Sequence, residues 1–161
     1  THHEGFSLWK PGSLASPGLV SLAETGALST VTQEIVNATQ LGTADQLIAI
    51  RQNLSAPGVV TFTFTVNRSH PSVSLATMIA PSPDWFVAAI NQSMLNENND
   101  FTEIMVIQAE VYDAGTDDGL TYTYLNQATS PKGLITKIVD APLGNGTALN
   151  GSFGTITFKK K

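Results

Sequence analysis

The chain has 161 residues, 42% hydrophobic and only 13% charged, with 8 basic against 13 acidic side chains and a net charge of −5. That length and apolar content suit one domain, residues 1–161, with its own core, and exclude a disordered tail. The acidic balance excludes a basic duplex-nucleic-acid binder and an anionic membrane surface; the lack of cysteine excludes a disulfide scaffold, a thiol nucleophile and a thiolate zinc site; and no apolar run is long enough to span a membrane.

Thr1-His2-His3-Glu4 is not a signal peptide, so any secretory signal is removed or lies outside the chain. Phe6, Leu8 and Trp9 make a short apolar start that Pro11-Gly12 breaks. Ser16 as N-cap, Pro17 at the first helical position, Leu19, Leu22 and Ala23 on one face and Gly26 beyond predict a short helix. Ser29 or Thr30 is expected to cap a second, running to Asn37. Thr43 and Gln46 resemble a capping box before Leu47, Ile50 and Leu54, although Ile48 and Ile50 allow a strand as well. After Pro57-Gly58, Val60, Phe62, Phe64 and Val66 alternate with Val59, Thr61, Thr63 and Thr65, the clearest period-two pattern in the chain, and predict a strand with one apolar face. Further strands are expected at 72–79, 84–90, 104–112, around Leu120, Tyr122 and Tyr124, at 134–139 and at 155–158. Between them lie Pro-, Gly-, Asn- and Asp-rich loops, including 91–100 and 144–151. The sum is an all-β fold, an antiparallel β-sandwich with short N-terminal helical turns at one end.

No nucleotide-binding loop, His-Glu-x-x-His or Gly-x-Ser-x-Gly pattern occurs, and no complete acid–base or nucleophile set is visible, so an enzyme is not expected. The chemical feature that stands out is Tyr112-Asp113-Ala114-Gly115-Thr116-Asp117-Asp118-Gly119, an acidic loop between two predicted strands. Calcium takes about six to eight hard oxygens from carboxylates, carbonyls and water. Asp113 and Asp117 face one another if the chain curls at Ala114-Gly115. A solvated acidic turn explains the same residues, and both readings stand at this point. Pro81-Ser82-Pro83-Asp84-Trp85-Phe86 sets a second aspartate at a strand start. If the strands from 84 and from 104 pair antiparallel, Asp84 and the acidic loop meet at one end of the sheet. Six Asn-x-Ser/Thr sequons, at Asn37, Asn53, Asn67, Asn91, Asn145 and Asn150, are candidate glycosylation sites of a secreted protein, or merely reflect abundant Asn and Thr.

Several motifs in order, His3-Glu4-Gly5-Phe6-Ser7-Leu8-Trp9, Leu22-Ala23-Glu24-Thr25-Gly26, Pro81-Ser82-Pro83-Asp84-Trp85-Phe86-Val87 and the acidic loop, make the chain similar to the spondin N-terminal domain family. The resemblance implies a sandwich like that of a C2 domain, with a calcium ion (Ca2+) beside one end. Carried over by motif, Asp84, Asp113 and Asp117 are the implied metal ligands, with Glu24, Glu110 and Asp118 as weaker or outer candidates. Animal matrix members carry cysteines where this chain has none, which likens it to the cysteine-free, stand-alone branch. Members of that branch have strands ahead of the His-x-x-Phe region. A first strand is therefore expected to be absent, cleaved or held on another chain, leaving an open sheet edge for a companion chain or an oligomer.

The function expected is a secreted, calcium-binding recognition or adhesion module that meets an extracellular protein or a glycan. The alternative is a carrier of a small apolar ligand such as a pigment or lipid. Trp9, Trp85, Tyr122 and Tyr124 are the candidate ligand-contact rings, although a sandwich core accounts for aromatics of this kind equally well.

Overall fold

The computed structural model describes residues 1–51, 54–122 and 125–161. Among them are α1 (Pro17–Thr25), α2 (Ser29–Gln40), β1 (Ser72–Met78), β2 (Trp85–Ser93), β3 (Ile104–Gln108), β4 (Glu110–Asp113), β5 (Thr136–Lys137) and β6 (Thr155–Lys159). A four-stranded sheet runs β1-β2-β4-β5 and a two-stranded sheet pairs β3 with β6, every pairing antiparallel. The fold is thus mixed rather than all-β: two true helices accompany two antiparallel sheets in a sandwich-like arrangement.

Helix α1 forms as its sequence dictates. The Ser16 side chain accepts from the Leu19 N–H at 3.1 Å, and Gly26, at φ 70°, closes the far end by donating to Leu22 O. Helix α2 begins without a side-chain cap, because Ser29 and Thr30 already lie inside it. Its Glu34 serves α1 instead, accepting from Gly18 N–H and Ser16 Oγ at 2.7 Å each. The helices approach closely at Gly18, where a Cβ would stand 2.6 Å from Val31 Cα.

The strand alternation sorts the main sheet into two faces. Phe86, Ala88 and Tyr112 pack with Trp9, Leu19, Leu22, Ala23 and Val31 beneath the helices. Trp85 and Val111 face the other way, against Leu143, Ile138 and Leu149. Met105, Ile107, Ile156 and Phe158 of the small sheet close a third cluster over Val73 and Leu75. Burying a side chain such as Phe86 or Leu19 contributes about 2 kcal/mol.

Further expectations change. The proposed capping box at Thr43 starts no helix: described residues from 45 to 58 are neither helix nor strand. The period-two stretch 59–66 keeps its sidedness, with Phe64 and Val66 on the third cluster, but has no ladder partner among the described residues, and Val59 is 85% exposed. Alternation specifies which side faces the core, and a strand also needs a neighbour. Finally, the expected strand 104–112 is divided at Ala109, whose N–H donates to Gly154 O: β4 stays with β2 while β3 leaves for β6. Leu120 and Tyr122 are in no strand, and Tyr124 and Asn53 lie outside the described residues.

Candidate metal centre

The antiparallel register of β2 and β4 sets Trp85 opposite Asp113. One step outward, Asp84 stands opposite Ala114, whose N–H reaches Asp84 O at 3.3 Å. The chain then curls as the acidic loop requires. Asp113 Oδ1 accepts from Gly115 N–H at 2.7 Å, and Gly115 adopts φ 73°. Glycine is needed there twice over, because a Cβ would lie 2.6 Å from the Gly133 backbone, whose N–H is bound to Gly115 O. The curl aims three donors at one oxygen of Asp84: Thr116 N–H at 2.6 Å, Thr116 Oγ1 at 3.2 Å and Asp117 N–H at 3.2 Å all reach Oδ2. Asp117 Oδ1 accepts from Gly119 N–H at 2.9 Å and its Oδ2 from Gln127 N–H at 3.1 Å, which ties residues 116–119 to the chain at 127–129.

Asp84 is fully buried, and its second oxygen, Oδ1, has no hydrogen-bond partner. Burial, then the charge of neighbouring Asp113, push its carboxyl up to about 6 against the opposing pull of Thr116 and Asp117. Asp113 is raised too, chiefly by burial, with bonds from Gly115 N–H and the Trp85 side chain opposing and the charges of Asp117 and Asp118 adding to the rise. Beside this network lies a recess of about 120 Å³ lined by Glu24, Thr25, Ser82, Pro83, Asp117 and Asn126. The three aspartates are therefore neighbours in one network, and Glu24 joins Asp117 at the recess. Among the described residues, however, no three His, Asp or Glu side chains form a group close enough to hold an ion. The donor chemistry, all carboxylate, hydroxyl and amide oxygen with one buried carboxylate oxygen unmatched, fits a hard cation and not a soft one. The oxygens of Asp113 and Asp117 are partly committed to backbone N–H groups, so a cation would share or displace those bonds.

Glu110 points elsewhere. It pairs with Lys137 at 2.5 Å and accepts the Tyr112 hydroxyl, and these two bonds hold its carboxyl below the usual range, while burial first and then the bond and charge of Glu110 hold the tyrosine above its own. Asp118 is exposed and accepts from Thr129 Oγ1 at 2.7 Å. Trp9 and Trp85 are each 4% exposed: Trp9 packs edge-on to Phe86 and Tyr112, and Trp85 meets Tyr122, itself 39% exposed. The sequon residues Asn37, Asn67, Asn91, Asn145 and Asn150 are all exposed. Sequence reasoning missed Thr116 as the main partner of Asp84, and Ser82 and Asn126 at the recess. Thr116 was signalled by its place in the curl, whereas nothing in the sequence sets Asn126 apart.

Comparison with known proteins meets this geometry from another side. The spondin N-terminal family model (Spondin_N) matches residues 1–145, a stretch that ends before β6. Human spondin-2 is 32% identical over 146 residues, covering 87% of this chain and 42% of its own length. Rat spondin-2 is 34% identical over 143 residues, covering 85% and 42%, and chicken spondin-1 is 29% identical over 141, covering 82% and 17%. The chain thus spans well under half the length of these relatives. With the matched stretch, these identities and no cysteine, the chain belongs to the spondin N-terminal domain family as a cysteine-free, secreted member.

Proposed function

We propose that this domain is a recognition or adhesion module whose loop end is ordered by calcium, within a sandwich of the C2-like kind its family implies. The observation that carries the reading is Asp84 Oδ1, a buried carboxylate oxygen without a partner, on a side chain bonded to Asp117, which lines a recess together with Glu24. When bound, a divalent cation supplies the positive charge that Asp84, Asp113 and Asp117 lack among themselves. The chain's own residues do the rest: Gly115 allows the curl, Thr116 fixes the orientation of Asp84, and Asp117 ties the 116–119 segment to 127–129. An end held this way presents a preformed surface to an extracellular protein or glycan, and preorganisation lowers the ordering cost of binding.

A carrier role for a small apolar ligand has less behind it. Trp9 and Trp85 are core residues, and the cleft beside Ile90 and Ile107 measures about 230 Å³, below the roughly 300–1,000 Å³ of usual ligand pockets.

The test is titration calorimetry of the chelator-treated chain with calcium, alongside thermal unfolding with and without it. The wild type should bind calcium and melt higher in its presence, and Asp84→Asn and the double variant Asp113→Asn/Asp117→Asn should lose both effects. A wild type with no binding heat and an unchanged melting temperature in millimolar calcium would falsify the proposal.

A further inference from the structure

Residues 1–3 run as a strip between two parts of the chain. His2 N–H donates to Ser72 O at 2.9 Å, and His2 O accepts from Ser72 N–H at 3.1 Å, which adds the strip to the edge of β1. On its other side His3 N–H donates to Thr43 O at 2.9 Å, and Thr1 O accepts from Asp45 N–H at 3.0 Å. His2 itself is 3% exposed, with Phe6 edge-on to its ring at 5.3 Å. Both ring nitrogens have fixed partners. Nδ1 lies 2.9 Å from His3 O, and a carbonyl can only accept, so Nδ1 carries the proton of the neutral ring. Nε2, 2.9 Å from Ser74 Oγ, is then bare and accepts from the hydroxyl. Ser74 sits at the register shift between β1 and β2, and beside it Asn91 takes φ 51°. Ser74 Oγ accepts from Asn91 N–H at 2.9 Å and has a second outlet for its own proton, Asn91 Oδ1 at 3.3 Å. One hydroxyl proton thus has two acceptors, and the charge on His2 decides between them.

A cation at this place has no carboxylate to meet it. The strands beside it, Ser72–Met78 and Trp85–Ser93, carry no charged side chain. Glu4, in the turn that brings Phe6 over the ring, is exposed and does not act on it. Asp45 bonds Asn67 Nδ2 and acts on the Thr1 amino group instead. Burial, the largest effect, disfavours the charged ring; the bond to His3 O opposes this; and the charges of the Thr1 amino group, His70 and His3 add to it, so the imidazole is held below its usual range. We propose that His2 is an acid-sensitive latch: when its ring takes a proton, the Ser74 hydroxyl turns to Asn91 Oδ1 and the 1–3 strip loosens from Ser72 and from residues 43–46. With the ring charged, Nε2–H donates to Ser74 Oγ, so the closed strip keeps its hydrogen bonds. What it lacks is solvation of the charge, which leaving the site restores. The open form therefore binds the proton more tightly, and acid favours it. Below about pH 6.5, the ordinary value of the ring, the opening equilibrium should rise by up to about tenfold per pH unit until the closed ring titrates as well. His3 and His70 keep the same sense if the chain continues ahead of Thr1. The latch shares no residue with the aspartate network, so it stands or falls separately from the calcium reading.

The experiment is amide hydrogen exchange on the full chain in chelator, from about pH 7.5 to about pH 5, corrected for the intrinsic rate and joined to an NMR titration of the histidine rings. The amides of Asp45 and Ser72, which bond only to the strip, should lose protection as the His2 ring titrates, while those of α1 report opening of the whole chain and serve as the reference. The neutral ring should be the Nδ1–H tautomer. His2→Gln cannot take the charge and should hold the protection of Asp45 and Ser72 level across the range. Asn91→Gly keeps the positive φ and removes Oδ1, so the hydroxyl has nowhere to turn and His2 should titrate lower still. A side chain that only fills space beside His2 would leave that titration where it was. The wild-type titration decides without the variants: a His2 ring that charges while Asp45 and Ser72 stay as protected as before would overturn the proposal. So would an equal loss of protection in His2→Gln, which would put the sensitivity elsewhere. An Nε2–H tautomer at neutral pH, or a titration unmoved by Asn91→Gly, would overturn it through the hydroxyl.

Discussion

A single carboxylate shows how far local geometry reaches. Asp84 has one oxygen saturated by three donors and the other by none, and the resulting mismatch makes its protonation visible in stability. Its folded pKa, about 6, lies above the 3.8 of the free side chain. Between those values the folded chain holds a proton the unfolded chain has released, so without calcium this group's contribution to stability falls as pH rises through the window, by up to about 3 kcal/mol, and is level above it. His2 works in the opposite sense, since burial lowers its pKa and it gains stability as pH rises towards its unfolded value. The quantity to measure is therefore the difference between wild type and Asp84→Asn in chelator: the wild type should lose ground to the variant from pH 4 to pH 6. In calcium the difference should invert at pH 6 and above, because deprotonation then favours the ion. Parallel lines in chelator would mean that Asp84 is an ordinary carboxylate. Gly115 gives a second residue-scale expectation. Gly115→Ala combines a strained positive φ with a clash against the Gly133 backbone, and should lower stability by about 1–3 kcal/mol in denaturant titration.

At the scale of elements, the two helices are joined by a device neither contains alone. Glu34 of α2 accepts from the first turn of α1 at Gly18 and from its cap Ser16. Glu34→Ala should therefore destabilise the chain by about 1–2 kcal/mol, read as a shift in the denaturation midpoint at constant slope, and Gly18→Ala by about as much or more through overpacking. Ser16, Pro17 and Gly26 made α1 legible from sequence, because caps are local. Glu34 as a cap for α1 was not legible, because the helix it serves lies a loop away. The same contrast runs through the strands. β1 and β6 were read nearly residue for residue, while 59–66, with the best alternation in the chain, has no ladder partner. The division at Ala109 was not legible even though the polar Gln108 and Glu110 flank it, since the bond made there goes to Gly154, far along the sequence. At the candidate metal centre the acidic loop and the Asp84 turn stood out in sequence, but their meeting depended on strand direction, which composition does not carry.

For the molecule as a whole, calcium would act as a ligand of the folded state alone. At a concentration one hundred times its dissociation constant the gain is about 2.7 kcal/mol. Ordering should concentrate where residues 114–119 meet 127–129, so limited proteolysis in chelator should cut first in that region, and calcium should slow it there more than at the helices. Cleavage rates equal in both conditions would count against an ordering role. The β3–β6 pairing has a consequence of another kind. A ribosome makes β3 long before β6, and until Gly154 and its successors emerge, Met105 and Ile107 have no cover on that side. A nascent chain therefore carries a sticky, half-built sheet while residues 109–154 are being made. A truncation at residue 145, where the family match stops, would never complete it and is expected to depend on chaperones or precipitate.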